Sequence, residues 1–404
     1  MSRVSRFGVG VLLALWSVAA FGSGYLLRAA VAPVEYRVER IYGAGNDHAL
    51  LDEAWAYVES HFVGDLPDAT AREYGAIRGA LSTLNDPYTS FVEPAPRAVE
   101  RDHMRGVFGG IGVQLRLTPE GRIALSPTPD GPAERAGVRE GDLLVAVDGV
   151  PLPFPASIED AMRLRGEEGT VVVIEVLRGS QRLKFAITRE RIELPSVEHR
   201  IITTTAAALP IGYVAIRGFT ERTAAQLEAA LRALAQAGVQ GYVLDLRDNA
   251  GGLLNAAVEV TSFFLRDRVV AYEVRRNQAE IVHRTRSVSH ALPETQPLVV
   301  LVNGGTASAA EVVAAALRDH QRAVLVGQKT LGKGSVQFVF ELRDGSAVRV
   351  TAARWLTARR EQLDGKGLNP DVLAEDDAES QLQTALRTLI ARLRLGVKEA
   401  RSSS

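Results

Sequence analysis

After Leu194 the sequence alternates short runs of β-branched and aliphatic residues with helical segments, and this pattern constrains the fold most strongly. The predicted strands cover residues 211–216, 242–246, 298–302 and 323–326, and the predicted helices cover residues 223–237, 254–264 and 308–317. Valine-rich strands that alternate with helices are typical of a parallel sheet covered by helices. We therefore predict an α/β core, followed by an amphipathic helix over residues 380–395.

Residues 99–191 have a different sequence pattern, in which glycines separate short predicted strands. The five predicted strands cover residues 111–117, 122–126, 143–147, 171–177 and 183–188. Within this stretch proline begins and glycine ends a short helix at residues 131–137, and Asp148-Gly149 is typical of a hairpin turn. Two amphipathic helices are predicted upstream, between residues 47 and 84. A β-rich domain is thus expected before the α/β core.

The first 32 residues are typical of a targeting segment. Arg3 and Arg6 precede an uncharged run over residues 7–27, which indicates an export signal or a membrane anchor. The run is slightly longer than the ~20 residues that span a bilayer, and Pro33 would directly follow the cleavage site that residues 30–32 resemble. We favour an anchor and expect the remaining chain to lie outside the cytoplasm.

Composition and motif searches exclude several function classes. A formal net charge of -1 over 404 residues offers no attraction for nucleic acid, and the lack of cysteine excludes disulfides and thiolate chemistry. Residues 327–334 resemble a P-loop, but Gly334 has no hydroxyl for Mg²⁺ and residues 336–340 alternate like a strand where a P-loop requires a helix. The seven histidines form no paired metal motif, and Gly-x-Ser-x-Gly is absent. We expect neither a metal nor an organic cofactor.

Ser308 is a candidate nucleophile because it lies where a buried-looking strand passes through glycines into a helix. Glu311, three residues later, also makes Ser308 the first residue of a capping box, which is the ordinary structural role of such a serine. A nucleophilic serine needs a base, and His320 lies about 18 Å further along the same helix. Lys333 follows the next strand, which can return it to the start of the Ser308 helix.

Lysine is a base only when it is neutral, and its ordinary pKa is ~10.4. The neighbours of Lys333 include glycines and no acid, which favours a desolvated amine, and Gln337 can orient that amine without adding charge. The turn after the strand at 242–246 exposes backbone amides. The amide of Gly251 or Gly252, together with that of Ala309, can form a two-donor oxyanion hole.

Three segments together closely resemble the carboxyl-terminal processing peptidases, also called tail-specific proteases. These segments are residues 245–252, 306–311 and 332–337, in matching order and spacing. Further matches occur at residues 75–79, 84–88, 131–137 and 365–371, so the resemblance covers about residues 47 to 395. It implies a serine–lysine endopeptidase in which a PDZ domain is inserted before a crotonase-like (ClpP/crotonase) protease core.

The resemblance also implies residue roles. Ser308 matches the nucleophile, Lys333 the general base and Gln337 the residue that orients the lysine. The amides of Gly251 or Gly252 and of Ala309 match the oxyanion hole. This chain departs from the family pattern in two places: Ala250 stands where proline is usual, and Thr306 stands where serine is commoner.

The predicted PDZ domain has its own candidate site. The amides of Gly109, Gly110, Ile111 and Gly112 precede a β run, so they can bind a free C-terminal carboxylate while the peptide adds as a strand. Arg165 is similar to a family position that faces the protease core. We therefore expect Arg165 to couple peptide binding to Lys333.

The implied organisation has five parts: a signal or membrane anchor (1–32), an N-terminal helical region (33–95), a PDZ domain (96–192), a serine protease core (193–375) and a C-terminal helix with its tail (376–404). The expected location is the inner membrane, facing the periplasm or another extracytoplasmic space. The expected partners are proteins or peptides with free C-terminal tails. An adaptor protein and a homo-oligomer are left open.

Two other functions also remain open. A decayed protease core would leave a PDZ scaffold that binds protein C-termini without cleaving them. A crotonase-like core can also act on acyl thioesters, but export disfavours this function because coenzyme A thioesters are cytoplasmic.

Overall fold

A computed structural model describes residues 49–203 and 209–402, with side chains described as far as residue 394. The predicted signal or anchor lies outside these residues. Within the two described ranges, no helix combines the length and the apolar character that crossing a membrane requires. The chain divides into two compact units, Met1–Ala69 and Thr70–Ser404. Helix α1 (Ala49–His61) lies in the first unit.

The second unit begins with helices and a short strand. Its first elements are α2 (Ala69–Ser82, which starts at the unit boundary), β1 (Ser90–Val92), α3 (Pro94–Arg105) and β2 (Val107–Gly110). The prediction of two helices between residues 47 and 84 is confirmed.

The β-rich domain is an antiparallel sheet with the strand order β3-β4-β5-β7-β8. Its elements are β3 (Val113–Leu117), β4 (Ile123–Pro127), α4 (Pro132–Arg135), β5 (Asp142–Val147), β6 (Val150–Pro151), a 3₁₀ helix (Glu159–Leu164), β7 (Val171–Arg178), β8 (Gln181–Thr188) and β9 (Glu190–Glu193). Strand β2 pairs with β9 outside this sheet. The predicted run at 111–117 is shorter in the structure, because Gly112 has a φ of 68° and β3 begins after it.

The predicted hairpin turn is confirmed. Asp148 and Gly149 connect β5 to β6 with φ values of 48° and 76°, and positive φ at both central residues is what a type I′ turn requires.

The remaining elements form the α/β core and a second sheet. In chain order they are β10 (Val197–Thr203), β11 (Pro210–Ile216), α5 (Thr223–Gln236), β12 (Gly241–Asp245), α6 (Leu254–Ser262), β13 (Val269–Arg275), β14 (Ile281–Arg284), β15 (Leu298–Val302), α7 (Ala309–Asp319), β16 (Val324–Gly327), β17 (Ser335–Glu341), β18 (Ala347–Thr357), β19 (Val372–Leu373) and α8 (Ala378–Ser402).

The core sheet has the order β10-β11-β12-β15-β16-β19, and all of its strands except β10 run parallel. One face packs against α5, α6 and α7, and the other packs against α8 through Leu382, Ala385, Leu386 and Leu389. Because both faces are covered, the central strands are apolar along their whole length, and β15 is buried at every position. The predicted α/β core is confirmed.

A second sheet, β1-β18-β13-β14 with β17 on β18, was predicted only at residues 336–340. Strand β17 pairs with one edge of β18, while β1 and β13 both pair with the other edge. This sheet joins segments that are up to about 260 residues apart in sequence, because Ser90 lies opposite Arg349.

Candidate active site

The carboxyl ends of the parallel strands β11, β12, β15 and β16 meet at one edge of the core sheet. The loop after β12 carries Gly251 and Gly252, the loop after β15 carries Ser308, and the loop after β16 carries Lys333. One cleft of about 1360 Å³ is lined by Gly252, Ser308, Ala309, Lys333 and Gln337, among other residues. The structure therefore brings the candidate nucleophile, base and orienting residue to the same cleft.

Ser308 has a backbone conformation that residues with side chains rarely adopt, with φ 54° and ψ -118°. Such a conformation costs on the order of 1–3 kcal/mol and persists only where the surroundings hold it. The Thr306 hydroxyl donates to Leu246 O at 2.8 Å, and the Ala307 amide donates to Asn249 O at 2.9 Å. Both bonds fasten the Ser308 loop to the loop after β12.

Glu311 is a fully buried carboxylate that joins the Ser308 loop to the Lys333 loop. Its Oε2 accepts hydrogen bonds from the backbone amides of Ser308 at 2.9 Å and of Lys333 at 2.8 Å. Its Oε1 accepts from the Gly332 amide at 2.8 Å and from the Thr330 hydroxyl. Sequence reasoning assigned Glu311 only a capping role. It missed the other three bonds because their donors lie 19 to 22 residues away.

The Lys333 side chain is half-buried, and burial lowers the pKa of its amine below the ordinary 10.5. The positive charge of Arg349 acts in the same direction. Within the described part of the chain, no carboxylate forms an ion pair with this amine. The Nζ atom instead lies 4.9 Å from the centre of the Tyr88 ring. Burial and Arg349 therefore both favour the neutral form that a base needs.

Gln337 lies on β17, where its Nε2 donates to Ser335 Oγ at 2.9 Å and to Thr351 Oγ1 at 3.4 Å. Among the residues that the structure describes, no hydrogen bond joins Lys333 Nζ to Ser308 Oγ or to Gln337. The three side chains thus share the cleft without forming a hydrogen-bonded set.

The backbone at Gly251 and Gly252 approaches its neighbours too closely for a side chain. A Cβ on Gly251 (φ 105°) would lie 2.8 Å from Ser308 Cβ, and one on Gly252 (φ 136°) would lie 2.2 Å from a backbone oxygen. The Gly251 amide donates to Asn249 Oδ1 at 2.9 Å. The amides of Gly252 and Ala309 donate no hydrogen bond to residues of the described ranges. These two amides are therefore available to a ligand oxygen.

The candidate peptide site of the β-rich domain has two parts. Gly109 and Gly110 lie in β2, and the Gly109 carbonyl accepts from the Gly166 amide at 3.0 Å. The carbonyls of Ile111 and Gly112 accept bonds from within the domain, at 2.9 Å each, whereas their amides donate none within residues 49–203 and 209–402. Strand β3, which follows, is at the edge of its sheet.

Arg165 follows the 3₁₀ helix, and its guanidinium lies 4.2 Å from the centre of the Phe108 ring. Burial lowers the pKa of Arg165, and the negative charge of Asp102 opposes this effect. Asp102 belongs to α3, and other residues of α3, including Met104 and Arg105, line the cleft of Ser308. Arg165 therefore lies between the β-rich domain and a wall of the cleft.

Asp245 and Arg247 form a buried ion pair, with 2.6 Å between Oδ2 and Nη2, to which sequence reasoning assigned no role. The Tyr213 hydroxyl also donates to this carboxylate at 2.5 Å. Arg247 Nη1 donates to Ala378 O at 2.8 Å and to Gln381 Oε1 at 3.1 Å. The pair therefore fixes the start of the glycine loop against helix α8.

Comparisons with known proteins identify the family of the chain. The family "Peptidase family S41" matches residues 210–374, and "PDZ domain" matches residues 123–178. Carboxyl-terminal-processing peptidase 2, chloroplastic, of Arabidopsis thaliana is 33% identical in an alignment of 357 residues that covers 82% of this chain and 69% of the relative. The carboxyl-terminal-processing protease of Synechocystis sp. is 34% identical in an alignment of 333 residues that covers 81% of this chain and 77% of the relative.

Among solved structures, a putative S41 protease from Bacteroides fragilis NCTC 9343 has a TM-score of 0.50 and 16% identity, covering 87% of this chain and 99% of that one. This likeness concerns the fold alone. The matches of sequence show that the chain belongs to peptidase family S41, with relatives named carboxyl-terminal processing proteases, and that it contains a PDZ domain. The resemblance found in the sequence is confirmed, as is its assignment as a peptidase.

We expect Glu311→Gln to lower kcat/KM by about 100-fold, because the amide NH₂ of glutamine would face hydrogen-bond donors and displace one of the two loops. Peptide hydrolysis and thermal unfolding should be measured together, because unpaired buried donors also cost about 1–3 kcal/mol each. Glu361→Gln, an exposed position, is the matched control. Unchanged kcat/KM in Glu311→Gln would show that the two loops keep their positions without this carboxylate.

Proposed function

We propose that this chain is an exported serine endopeptidase that recognises the C-terminal tail of a protein substrate through its PDZ domain and cleaves peptide bonds with a Ser308–Lys333 dyad. Gln337 orients the lysine, and the amides of Ala309 and Gly252 bind the oxyanion, because the Gly251 amide already donates to Asn249 Oδ1. The proposal requires neither a metal nor an organic cofactor. It includes a crotonase-like protease core over residues 193–375 and a PDZ domain over residues 96–192.

One observation carries the proposal: a single buried carboxylate binds the backbone amides of both Ser308 and Lys333. Glu311 therefore fixes the distance between the two backbone segments, and the remaining adjustment is a rotation of side chains. The long lysine side chain has four rotatable bonds for that adjustment. Both side chains already line one cleft.

The chemistry follows from these positions. Neutral Lys333 accepts the proton of the Ser308 hydroxyl as Oγ attacks the substrate carbonyl, and the charge on the carbonyl oxygen is stabilised by the two amides. Lys333 then gives the proton to the leaving amine. In the second half, Lys333 takes a proton from water as its oxygen attacks the acyl-enzyme. The bond to Ser308 Oγ then breaks, and Lys333 returns the proton to Oγ, which restores both side chains.

The free edge of β3 supports recognition of substrate tails. A peptide can add to this edge as an antiparallel strand, with its terminal carboxylate on the unpartnered amides of Ile111 and Gly112. Gly109 and Gly110 instead lie in β2, which pairs with β9, so the proposed carboxylate site is limited to the amides of Ile111 and Gly112. The uncharged run at residues 7–27 supports export and attachment to the inner membrane, with the protease facing the periplasm or another extracytoplasmic space.

The lack of a hydrogen bond between Ser308 and Lys333 within the described chain also suits a second function, an inactive PDZ scaffold that binds protein C-termini. The two functions differ in turnover. A purified scaffold binds a tail-bearing peptide and leaves it intact, whereas the peptidase cleaves it.

We expect kcat/KM for a tail-bearing peptide to rise with pH as Lys333 loses its proton. Because burial lowers the pKa of Lys333, this rise is centred below 10.5, and activity is lost on the acidic side. Ser308→Ala and Lys333→Arg should each lower kcat by at least about 10⁴-fold. Arginine is the informative change because it keeps the positive charge but cannot act as a base. Substantial turnover in Lys333→Arg would exclude the dyad.

We expect amidation of the substrate C-terminus to lower kcat/KM by more than about 10-fold, because the neutral amide loses the charge that the Ile111 and Gly112 amides recognise. If Arg165 couples tail binding to Lys333, Arg165→Ala reduces this difference between free and amidated peptides. Arg182→Ala, which removes an exposed arginine from β8, is the control. An unchanged preference in Arg165→Ala would show that Arg165 has no coupling role.

A further inference from the structure

The amine of Lys333 lies over an aromatic ring instead of beside its proposed partner. Its Nζ is 4.9 Å from the centre of the Tyr88 ring, within the ~6 Å at which a cation and an aromatic face attract each other. This attraction acts on the charged ammonium and not on the neutral amine. The contact therefore stabilises the form of Lys333 that cannot act as a base.

The turn that carries Tyr88 is fastened to β18. Asp86 accepts bonds from the Tyr88 amide at 3.1 Å and from the Thr89 hydroxyl at 2.6 Å. Thr89 Oγ1 in turn accepts from the Thr351 amide at 3.1 Å, and β1 then pairs with β18 directly after this turn. The backbone that carries the ring is thus fixed to β18, whereas Tyr88 itself is 37% exposed.

The same strand also holds Gln337 away from the lysine. Gln337 Nε2 donates to Thr351 Oγ1 at 3.4 Å, and Thr351 is the residue whose amide binds Thr89. The residue that holds the Tyr88 turn and the residue that holds the Gln337 side chain are therefore the same.

Arg349, Glu311 and Asp364 do not stabilise the Lys333 ammonium in place of the Tyr88 ring. Arg349 on β18 repels the ammonium, and Arg349 itself pairs with Glu100 of α3 at 2.9 Å. The Glu311 carboxylate of α7 is used by backbone amides and the Thr330 hydroxyl. Asp364 accepts from the Gly334 amide at 3.0 Å. Within residues 49–203 and 209–402, the Tyr88 ring is thus the group that stabilises the charged amine.

We propose that Tyr88 is a positioning residue that holds the charged Lys333 side chain in the resting enzyme and releases it towards Ser308 when substrate occupies the cleft. The inference rests on the proposed roles of Ser308 and Lys333. Its physical consequence is that the free enzyme binds the Lys333 proton more tightly than the substrate complex does.

The first test separates these two states by kinetics. The pH dependence of kcat/KM reports the free enzyme, and that of kcat reports the substrate complex. Tyr88→Leu removes the ring, so we expect the rising limb of kcat/KM to move about half a pH unit lower while the limb of kcat stays in place. Tyr88→Phe keeps the aromatic face and should match the unmodified enzyme in both profiles.

The second test needs no turnover and is made in a Ser308→Ala background. The chain has five lysines, so reductive ¹³C-methylation gives few NMR signals, and Lys333→Arg identifies the one from Lys333. We expect Tyr88→Leu to lower the pKa of the labelled Lys333 amine by about half a unit and Tyr88→Phe to leave it unchanged.

The outcomes are distinguishable. Failure of Ser308-dependent turnover would overturn the proposed function, while the NMR titration would still decide whether the ring holds the charged amine. Equal titration of Lys333 in the Leu and Phe variants would overturn the role of the ring. Equal shifts of the kcat/KM and kcat limbs would overturn the release on substrate binding.

Discussion

The arrangement of the candidate active site depends on one buried carboxylate. Glu311 accepts the backbone amide of Ser308 at the start of α7 and that of Lys333 in the loop after β16. Because it is fully buried, its bonds are not weakened by competing water. It therefore supports both the strained Ser308 backbone and the position of the lysine, and the cleft between them has its shape because these two loops cannot separate.

Two opposing influences act on the Lys333 amine. Burial and Arg349 favour the neutral base, whereas the Tyr88 ring favours the charged form. The backbone segments that carry Ser308 and Lys333 thus meet at the carboxyl edge of the core sheet, while the Lys333 amine lies at the Tyr88 ring and not at Ser308. The Arg165 guanidinium lies over the ring of Phe108, which follows α3, and the next residue, Gly166, donates its amide to Gly109 O. The β-rich domain therefore adjoins α3, which lines the cleft, at these residues.

The features of the fold and of the site that depend on local sequence pattern could be predicted. The parallel core, the hairpin at Asp148 and the approach of Lys333 to the Ser308 cleft follow from periodicity, turn chemistry and strand order. The second sheet was largely missed, because its strands pair across long sequence separations such as Ser90 with Arg349. The Tyr88 contact was missed for the same reason, since no repeat or spacing connects that residue to Lys333.

The central claim is that Lys333 activates Ser308 as a base. The most direct measurement is the rate at which a fluorophosphonate labels Ser308, followed by intact-protein mass across a range of pH. We expect a single adduct on Ser308, a labelling rate that rises with pH, and loss of that labelling in Lys333→Arg. Labelling of Ser308 at an undiminished rate in Lys333→Arg would contradict it.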